Sequence, residues 1–118
     1  MTKDDYHIIV YQILAYLYQC LKSGEFPNTG GMNIFRERAG INSRYWHYIL
    51  IHLLEDGYIE GASIVPVVET REKQVRFNPD FAITPKGIDY LEDNSFMRKA
   101  KKFVTDNTLP LLTTFINH

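Results

Sequence analysis

The side chains in this sequence that could do chemistry are mostly basic or aromatic, and their spacing suits binding rather than catalysis. Three basic groups could contact phosphates: Arg36 with Arg38, Arg44 alone, and Arg71 with Lys73 and Arg76. Phosphate contacts supply much of the affinity of nucleic-acid binders, because each one releases condensed counterions. The three groups therefore predict a surface that could bind double-stranded DNA.

A helix predicted at 43–56 would carry the residues that read a DNA groove. Its apolar residues recur at helical spacing from Trp46 to Leu54, which predicts one buried face. A groove-reading helix contacts base edges through outward residues near its N-terminus. Here those positions are Arg44, Tyr45, His47 and Tyr48.

The outward face of this helix also has a second interpretation. Tyr45, Tyr48 and Ile51 follow one another at intervals of three residues, which would align them in an apolar strip. Tyrosines with a few polar neighbours are common anchors at protein interfaces. The strip could therefore bind a protein partner, or the first helix or the hairpin could cover it. The sequence leaves both alternatives open.

The sequence shows no arrangement of residues typical of catalysis. Cys20 lies beside Leu21 in an apolar helical stretch, which predicts a buried and unreactive thiol. His47 and His52 are five residues apart, the wrong spacing for two metal ligands on one helix face. The segment 29–31, Thr-Gly-Gly, is predicted to be a plain loop rather than a phosphate-binding motif. We expect no enzymatic activity, no metal and no cofactor.

The composition limits the class of protein. The chain has 118 residues, 45% of them hydrophobic and 14% aromatic, enough for one domain with a packed core. Its formal net charge of −1 differs from the basic balance typical of nucleic-acid binders. A single cysteine excludes an internal disulfide, and the acidic start MTKDDYH does not suit an export signal. Polar residues interrupt the longest apolar runs, so we expect a cytoplasmic protein without a membrane-spanning helix.

Hydrophobic spacing and capping residues predict five helices and one hairpin. The predicted helices are 3–22, 34–39 with Asn33 as cap, 43–56 with Asn42 or Ser43 as cap, a fourth starting at Pro85 with Thr84 as cap, and 95–107 with Asn94 or Ser95 as cap. The predicted connections and strands are a loop at 25–31, a strand at 58–68, a charged hairpin tip at 68–77 and a short return strand at 81–84. The last residues, 109–118, could pack on the first helix or support a homodimer.

This order of elements is typical of an α+β winged helix, in which a helix-turn-helix precedes a β-hairpin wing and a closing helix. We predict a single domain over 1–118, made of an N-terminal helix and loop (1–31), a helix-turn-helix with its wing (32–84) and C-terminal helices (85–118). Many winged helices bind DNA and others bind only proteins, so the fold does not decide the function.

Two resemblances support this fold. The spacing of Gly40-Ile41, Trp46, Leu50, Leu53, Gly57 and Ile59 resembles the helix-turn-helix of winged-helix regulators of the MarR and PadR kind. The segments DDYHIIVYQILAYLYQCLKSGE and ITPKGIDYLEDNSFMRKAKKF resemble the YjcQ-like family of small proteins from Gram-positive bacteria and their phages and prophages. The second resemblance implies a winged-helix fold and a prophage origin. It implies no catalytic or binding residues.

The function expected first is that of a small DNA-binding regulator, because the predicted fold most often has that role. The alternative is a protein-interaction module, such as a phage adaptor or assembly factor, that binds no DNA. The two differ in one structural requirement. Groove binding needs Arg36, Arg38, Arg44 and the basic residues of the wing to share one surface, whereas protein binding does not.

Overall fold

Five helices and one antiparallel hairpin make up residues 1–112, the part of the chain that the computed structural model describes. In chain order they are α1 (Tyr6–Ser23), α2 (Thr29–Arg38), α3 (Ser43–Glu55), β1 (Ile59–Pro66), β2 (Lys73–Ile83), α4 (Pro85–Asp93) and α5 (Ser95–Asp106). The predicted α+β class is confirmed. The predictions for 113–118 lie outside the described residues.

The first helix begins at Tyr6, three residues later than predicted, because the preceding residues form a turn of their own. The amide of Thr2 donates to the Asp5 carboxylate at 2.9 Å, and the Thr2 hydroxyl donates to the same carboxylate at 2.7 Å. These two hydrogen bonds lower the pKa of Asp5. The Asp5 side chain is thereby occupied and does not cap α1.

The second helix begins earlier than predicted. The side chain of Asn28 accepts a hydrogen bond from the Gly31 amide at 2.8 Å, and the Asn28 amide donates to the Tyr16 hydroxyl at 2.8 Å. The predicted loop is therefore wrong at 29–31, and so is the predicted cap Asn33. Two glycines lower the helix propensity of this segment. The Asn28 cap and its hydrogen bond to Tyr16 of α1 outweigh that cost in the first turn.

The third helix was predicted correctly. Asn42 caps it by accepting from the Tyr45 amide at 2.9 Å, and the turn before it contains Gly40 at φ +74°. The predicted inner face is buried at its four central positions, and Leu54 is half-buried at the edge of the core. The buried four are Trp46, Ile49, Leu50 and Leu53. The rotation of this helix about its own axis is therefore fixed, and it determines which residues lie on the remaining faces.

The hairpin is longer and less regular than predicted. Pairing runs from Ile59 opposite Ile83 to Pro66 opposite Lys73, so β2 is an 11-residue strand rather than the short strand predicted at 81–84. The register breaks at Gly61, where an added Cβ would lie 2.6 Å from the Asp80 carbonyl oxygen. Because residues 78–81 bulge over Gly61, the two-residue alternation that identifies a strand is lost there.

Most buried side chains belong to one cluster around α1, which includes residues of every other helix except α4 and of both strands. A smaller cluster of Ile8, Ala100 and Val104 fixes α5 along α1. The chain after α5 returns to the main cluster at Leu112, which is buried. That segment therefore packs on its own chain, at least as far as residue 112.

The two C-terminal helices begin at the predicted caps. The Thr84 hydroxyl accepts from the Gly87 amide at 3.0 Å, and Pro85 occupies the first helical position of α4. Asn94 caps α5 by accepting from the Phe96 amide at 2.9 Å. Within residues 1–112, no helix combines the length and the hydropathy needed to cross a membrane.

Candidate recognition surface on the third helix

The side of α3 that points away from the core is mainly aromatic and apolar. Successive residues turn by about 100° around a helix, so the positions opposite the buried face are Arg44, Tyr48, Ile51 and Glu55, here called the outer face of α3. Tyr48 lies at its centre with 54% of its surface exposed. Arg44 and Glu55 are exposed and Ile51 is half-buried. One cation and one carboxylate thus leave this face without net charge.

Tyr45 lies on one flank of α3 rather than on the outer face. Its hydroxyl donates to the Asp4 carbonyl oxygen at 2.9 Å. Burial, with smaller contributions from Asp4 and Asp5, raises the pKa of Tyr45. The first residues of the chain therefore cover this part of the predicted apolar strip. Of the three residues in that strip, Tyr48 is the exposed one, and Tyr45 and Ile51 are half-buried.

His47 lies on the opposite flank, against the hairpin. Its Nδ1 accepts a hydrogen bond from the Val75 amide at 3.1 Å. Burial and the nearby Arg36 lower the pKa of His47, while Glu72 acts in the opposite direction. A ring nitrogen that accepts a hydrogen bond carries no proton. His47 is therefore a neutral group that covers an amide at the outer edge of β2.

The two arginines of α2 point to different sides of that helix. Arg36 is largely covered, with 15% of its side chain exposed; its Nη1 donates to the Ile41 carbonyl oxygen at 2.9 Å and its Nε to Asn33 at 3.1 Å. Arg38 follows about 200° around the helix and lines a groove together with Lys3. Arg36 thus holds the turn between α2 and α3, and the two side chains do not share a surface.

The basic residues of the hairpin are exposed but also divided. Lys73 shares one face of β2 with the buried Val75, whereas the alternation of side chains places Arg76 on the other face. Arg71 lies in the connecting turn beside Glu72. The hairpin therefore presents separate cations interleaved with carboxylates, rather than one basic strip.

An aromatic cluster adjoins the outer face of α3. Tyr48 lies against His52, with 4.4 Å between ring centroids, and Tyr58 stacks on Tyr90 at 4.3 Å. Tyr6 lies among them: burial first, and then the neighbouring Tyr90, Asp56 and Tyr48, raise its pKa to about 12. We define the aromatic cluster by its five members, Tyr6, Tyr48, His52, Tyr58 and Tyr90.

Sequence reasoning missed the aromatic cluster because four separate elements supply it. Tyr6 comes from the start of α1, Tyr58 precedes β1 and Tyr90 lies in α4. No local pattern connects these positions. A weak signal was available in ITPKGIDYL, where Tyr90 follows the predicted cap Thr84 by six residues and therefore lies within the fourth helix.

Two further findings concern the cysteine and the metal-ligating residue types. Cys20 is buried, as predicted, and burial raises the pKa of its thiol. Among residues 1–112, no group of three histidine, cysteine or acidic side chains is placed to hold a metal ion.

Comparison with known proteins gives a match to a protein family. A family model described as YjcQ protein matches residues 11–106, which include all of α2 to α5, the hairpin and most of α1. Searches of the curated proteins and of the solved structures each returned no match. The matched segment contains the outer face of α3 and most of the aromatic cluster, and it shows that the chain belongs to the YjcQ family.

Proposed function

We infer that α2, α3 and the hairpin form a winged helix whose outer α3 face binds a protein partner. The observation that carries this proposal is the exposure of Tyr48, a member of the aromatic cluster, at the centre of that face. A large exposed aromatic side chain offers apolar area that a partner could bury. It is a common choice for the centre of an interface.

The chemistry of the surface agrees with a protein partner. Tyrosine buries a large apolar ring at low conformational cost and keeps a hydroxyl for a hydrogen bond. The cores of protein interfaces are depleted in charge and enriched in aromatic residues. The outer face of α3 has one cation, one carboxylate and no net charge, and the tyrosines around it are partly covered. This surface could become the apolar centre of an interface whose rim is polar.

Binding to double-stranded DNA is the second candidate, favoured by one specific observation. Arg44 is exposed in the first turn of α3, where groove-reading helices contact bases, and Arg71, Lys73 and Arg76 are exposed on the hairpin. Against it, Arg36 is bound to the Ile41 carbonyl and Arg38 lies on another side of α2. The predicted convergence of basic groups is therefore incomplete, which places DNA second.

The test of the proposed function compares two exposed aromatic residues. Phe26, 79% exposed, lies in the loop before α2 and serves as the matched control for Tyr48. Immobilised wild-type protein and the variants Tyr48→Ala and Phe26→Ala are incubated with lysate of the source cells, and bound proteins are quantified by mass spectrometry. We expect a specific protein whose capture falls about thirtyfold with Tyr48→Ala, the size of an interface hot spot, and is kept with Phe26→Ala. Equal capture by both variants would rule out this surface.

DNA binding is tested separately by fluorescence anisotropy with a mixed-sequence duplex at about 50 and 200 mM salt. We expect no saturable binding at the lower salt concentration. Micromolar binding that collapses at the higher salt concentration and weakens with Arg44→Ala and Arg71→Ala would instead assign the outer face to DNA.

A further inference from the structure

The outer face of α3 has a charge at each end and apolar groups between the two charges. Arg44 lies in the first turn of the helix, and Glu55 is its last residue, about three turns further along. Tyr48 and Ile51 lie between them on the same side, because helical spacing brings all four residues into one strip. In order along the helix, the face therefore presents a cation, a tyrosine, an isoleucine and a carboxylate.

Both charges lie at the end of α3 where the helix itself disfavours them. A helix carries partial positive charge at its N-terminus and partial negative charge at its C-terminus, so a cation in the first turn and an anion in the last are both opposed by it. The side chains of Arg44 and Glu55 make no hydrogen bond or ion pair with any residue of the range 1–112. Departures from local preference are concentrated at functional sites. This arrangement indicates that a partner compensates both charges.

A second copy of the same face supplies that compensation, because the order of its groups is self-complementary. If two copies of α3 pack antiparallel about a two-fold axis, Arg44 of one copy lies opposite Glu55 of the other, and Tyr48 lies opposite Ile51. Each of these contacts then occurs twice, as in every two-fold interface. Each Arg44 also lies beside the C-terminal end of the other helix and each Glu55 beside its N-terminal end, where the helix dipole favours that charge.

The centre and the flanks of the face also suit such a contact. Tyr48 is exposed and Ile51 is half-buried, so each offers apolar area that the other could cover. On the flanks, Tyr45 and His47 already form hydrogen bonds within the chain, to the Asp4 carbonyl and the Val75 amide. Burying polar groups that already have partners avoids the cost of leaving them unsatisfied.

We propose that two copies of this chain associate through antiparallel contact of their outer α3 faces. The inference rests on the proposed function and identifies the protein partner as a second copy. It accounts for the absence of net charge on this face, because each copy contributes both members of the two ion pairs. A contact between a few side chains of each copy is small for a protein interface, so we expect a weak dimer.

Analytical ultracentrifugation of the full-length protein tests the association. At protein concentrations up to about 1 mM, we expect a monomer–dimer equilibrium with a dissociation constant on the order of 10 μM. Tyr48→Ala should weaken the dimer about thirtyfold, because the side chain contributes to two contacts. Phe26→Ala removes an exposed aromatic ring outside α3 and is the matched control; it should change the constant less than about twofold.

Charge reversal tests the antiparallel geometry. Arg44→Glu and Glu55→Arg each place like charges opposite one another, so each variant alone should associate about tenfold more weakly than the wild type. An equal mixture of the two variants has opposite charges at both ends of the mixed dimer, and its affinity should return to within about threefold of the wild type. Arg98→Glu, on the exposed side of α5, is the control for charge reversal and should leave association unchanged. Neither α3 variant should lower the melting temperature, because both put charges where the helix dipole favours them.

Two outcomes would overturn the proposal. The first is a wild-type protein that stays monomeric up to about 1 mM. The second is a mixture of the two charge variants that associates no better than either variant alone, which would show that any dimer uses another surface. If capture from lysate still depends on Tyr48 after either outcome, the proposed function stands and the partner is a different protein. If that dependence is also absent, both proposals fail.

Discussion

The third and fifth helices differ in how many exposed cations they carry and in what they pack against. The outer face of α3 carries one permanent cation, Arg44. α5 carries four exposed cations, Arg98, Lys99, Lys101 and Lys102, but it packs along α1 through Ala100 and Val104. The comparison shows that counting charges along the sequence does not locate an interface, because packing decides which face is presented.

The two helices also differ in what holds them. α3 contributes four buried side chains to the main core cluster, and hydrogen bonds on both flanks fix its rotation. α5 is held mainly by the small cluster with Ile8 and by Met97 in the main cluster. His7 adds a stacked contact with Phe96, with 4.4 Å between ring centroids. We expect α3 to be the more firmly held of the two.

The largest expected effect sharpens this comparison of packing. Leu50→Ala removes a fully buried side chain from α3 and should lower the free energy of unfolding by roughly 2–5 kcal/mol. Val104→Ala removes a buried side chain of α5 from the smaller cluster and should cost about 1.5 kcal/mol. Urea denaturation monitored by circular dichroism measures both. A larger loss for Val104→Ala would show that α5 is the better-held helix.

An intermediate effect tests the flank of α3 that contacts the hairpin. The folded protein lowers the pKa of His47 below its usual value of 6.5. The contribution of His47 to stability is therefore complete above pH 6.5 and is lost as the pH falls through the lower pKa of the folded state. We expect the urea midpoint of the wild type to decrease between a pH of about 7.5 and about 5.5.

The matched variant for this pH effect is His47→Asn. Asparagine does not titrate and keeps an oxygen that could accept the hydrogen bond of the Val75 amide. Its urea midpoint should change less over the same pH range, and the difference between the two proteins isolates His47 from the carboxylates. Equal pH dependence in the two proteins would contradict the assigned hydrogen bond.

The smallest expected effect tests whether the charge of α5 matters at all. Arg98 and Lys101 are exposed and make no ion pair with any residue of the described range. The double variant Arg98→Gln, Lys101→Gln should change the free energy of unfolding by less than about 0.5 kcal/mol. It should also leave partner capture by the outer face of α3 unchanged. If capture falls as much as with Tyr48→Ala, the interface includes α5 and the contrast between the two helices fails.

The sequence predicted elements best where a cap, a periodic apolar stripe and a stop agreed. α3 has all three, in Asn42, in the stripe from Trp46 to Leu53, and in Gly57, and its prediction was correct to within one residue. The starts of α4 and α5 were also correct, since Thr84-Pro85 and Asn94 are strong local signals. The start of α2 was missed because the two glycines after Asn28 are typical of a loop. Most of β2 was missed because its bulge interrupts the alternation of apolar and polar side chains.

The candidate surface was less predictable than the elements. Arg44 and Tyr48 are exposed on α3, at positions that helical spacing gives directly. Tyr45, His47 and Arg36 were predicted to be available, yet each forms hydrogen bonds within the chain, to Asp4, Val75 and Ile41 respectively. The partners of Tyr45 and His47 lie far away in the sequence, so no local pattern could reveal that these two groups are occupied. The partner of Arg36 lies in the turn after α2.

The sequence by itself determined the α+β class, the order of the helices and the buried face of α3, because caps and periodicity act over a few residues. Only the tertiary structure decided which polar side chains remain available. Burial forces a polar group to find a partner wherever the packed chain supplies one, and that partner can be far away in sequence. Tyr45 and His47 contact partners 41 and 28 residues away in the sequence, whereas Arg36 contacts the turn that follows its own helix.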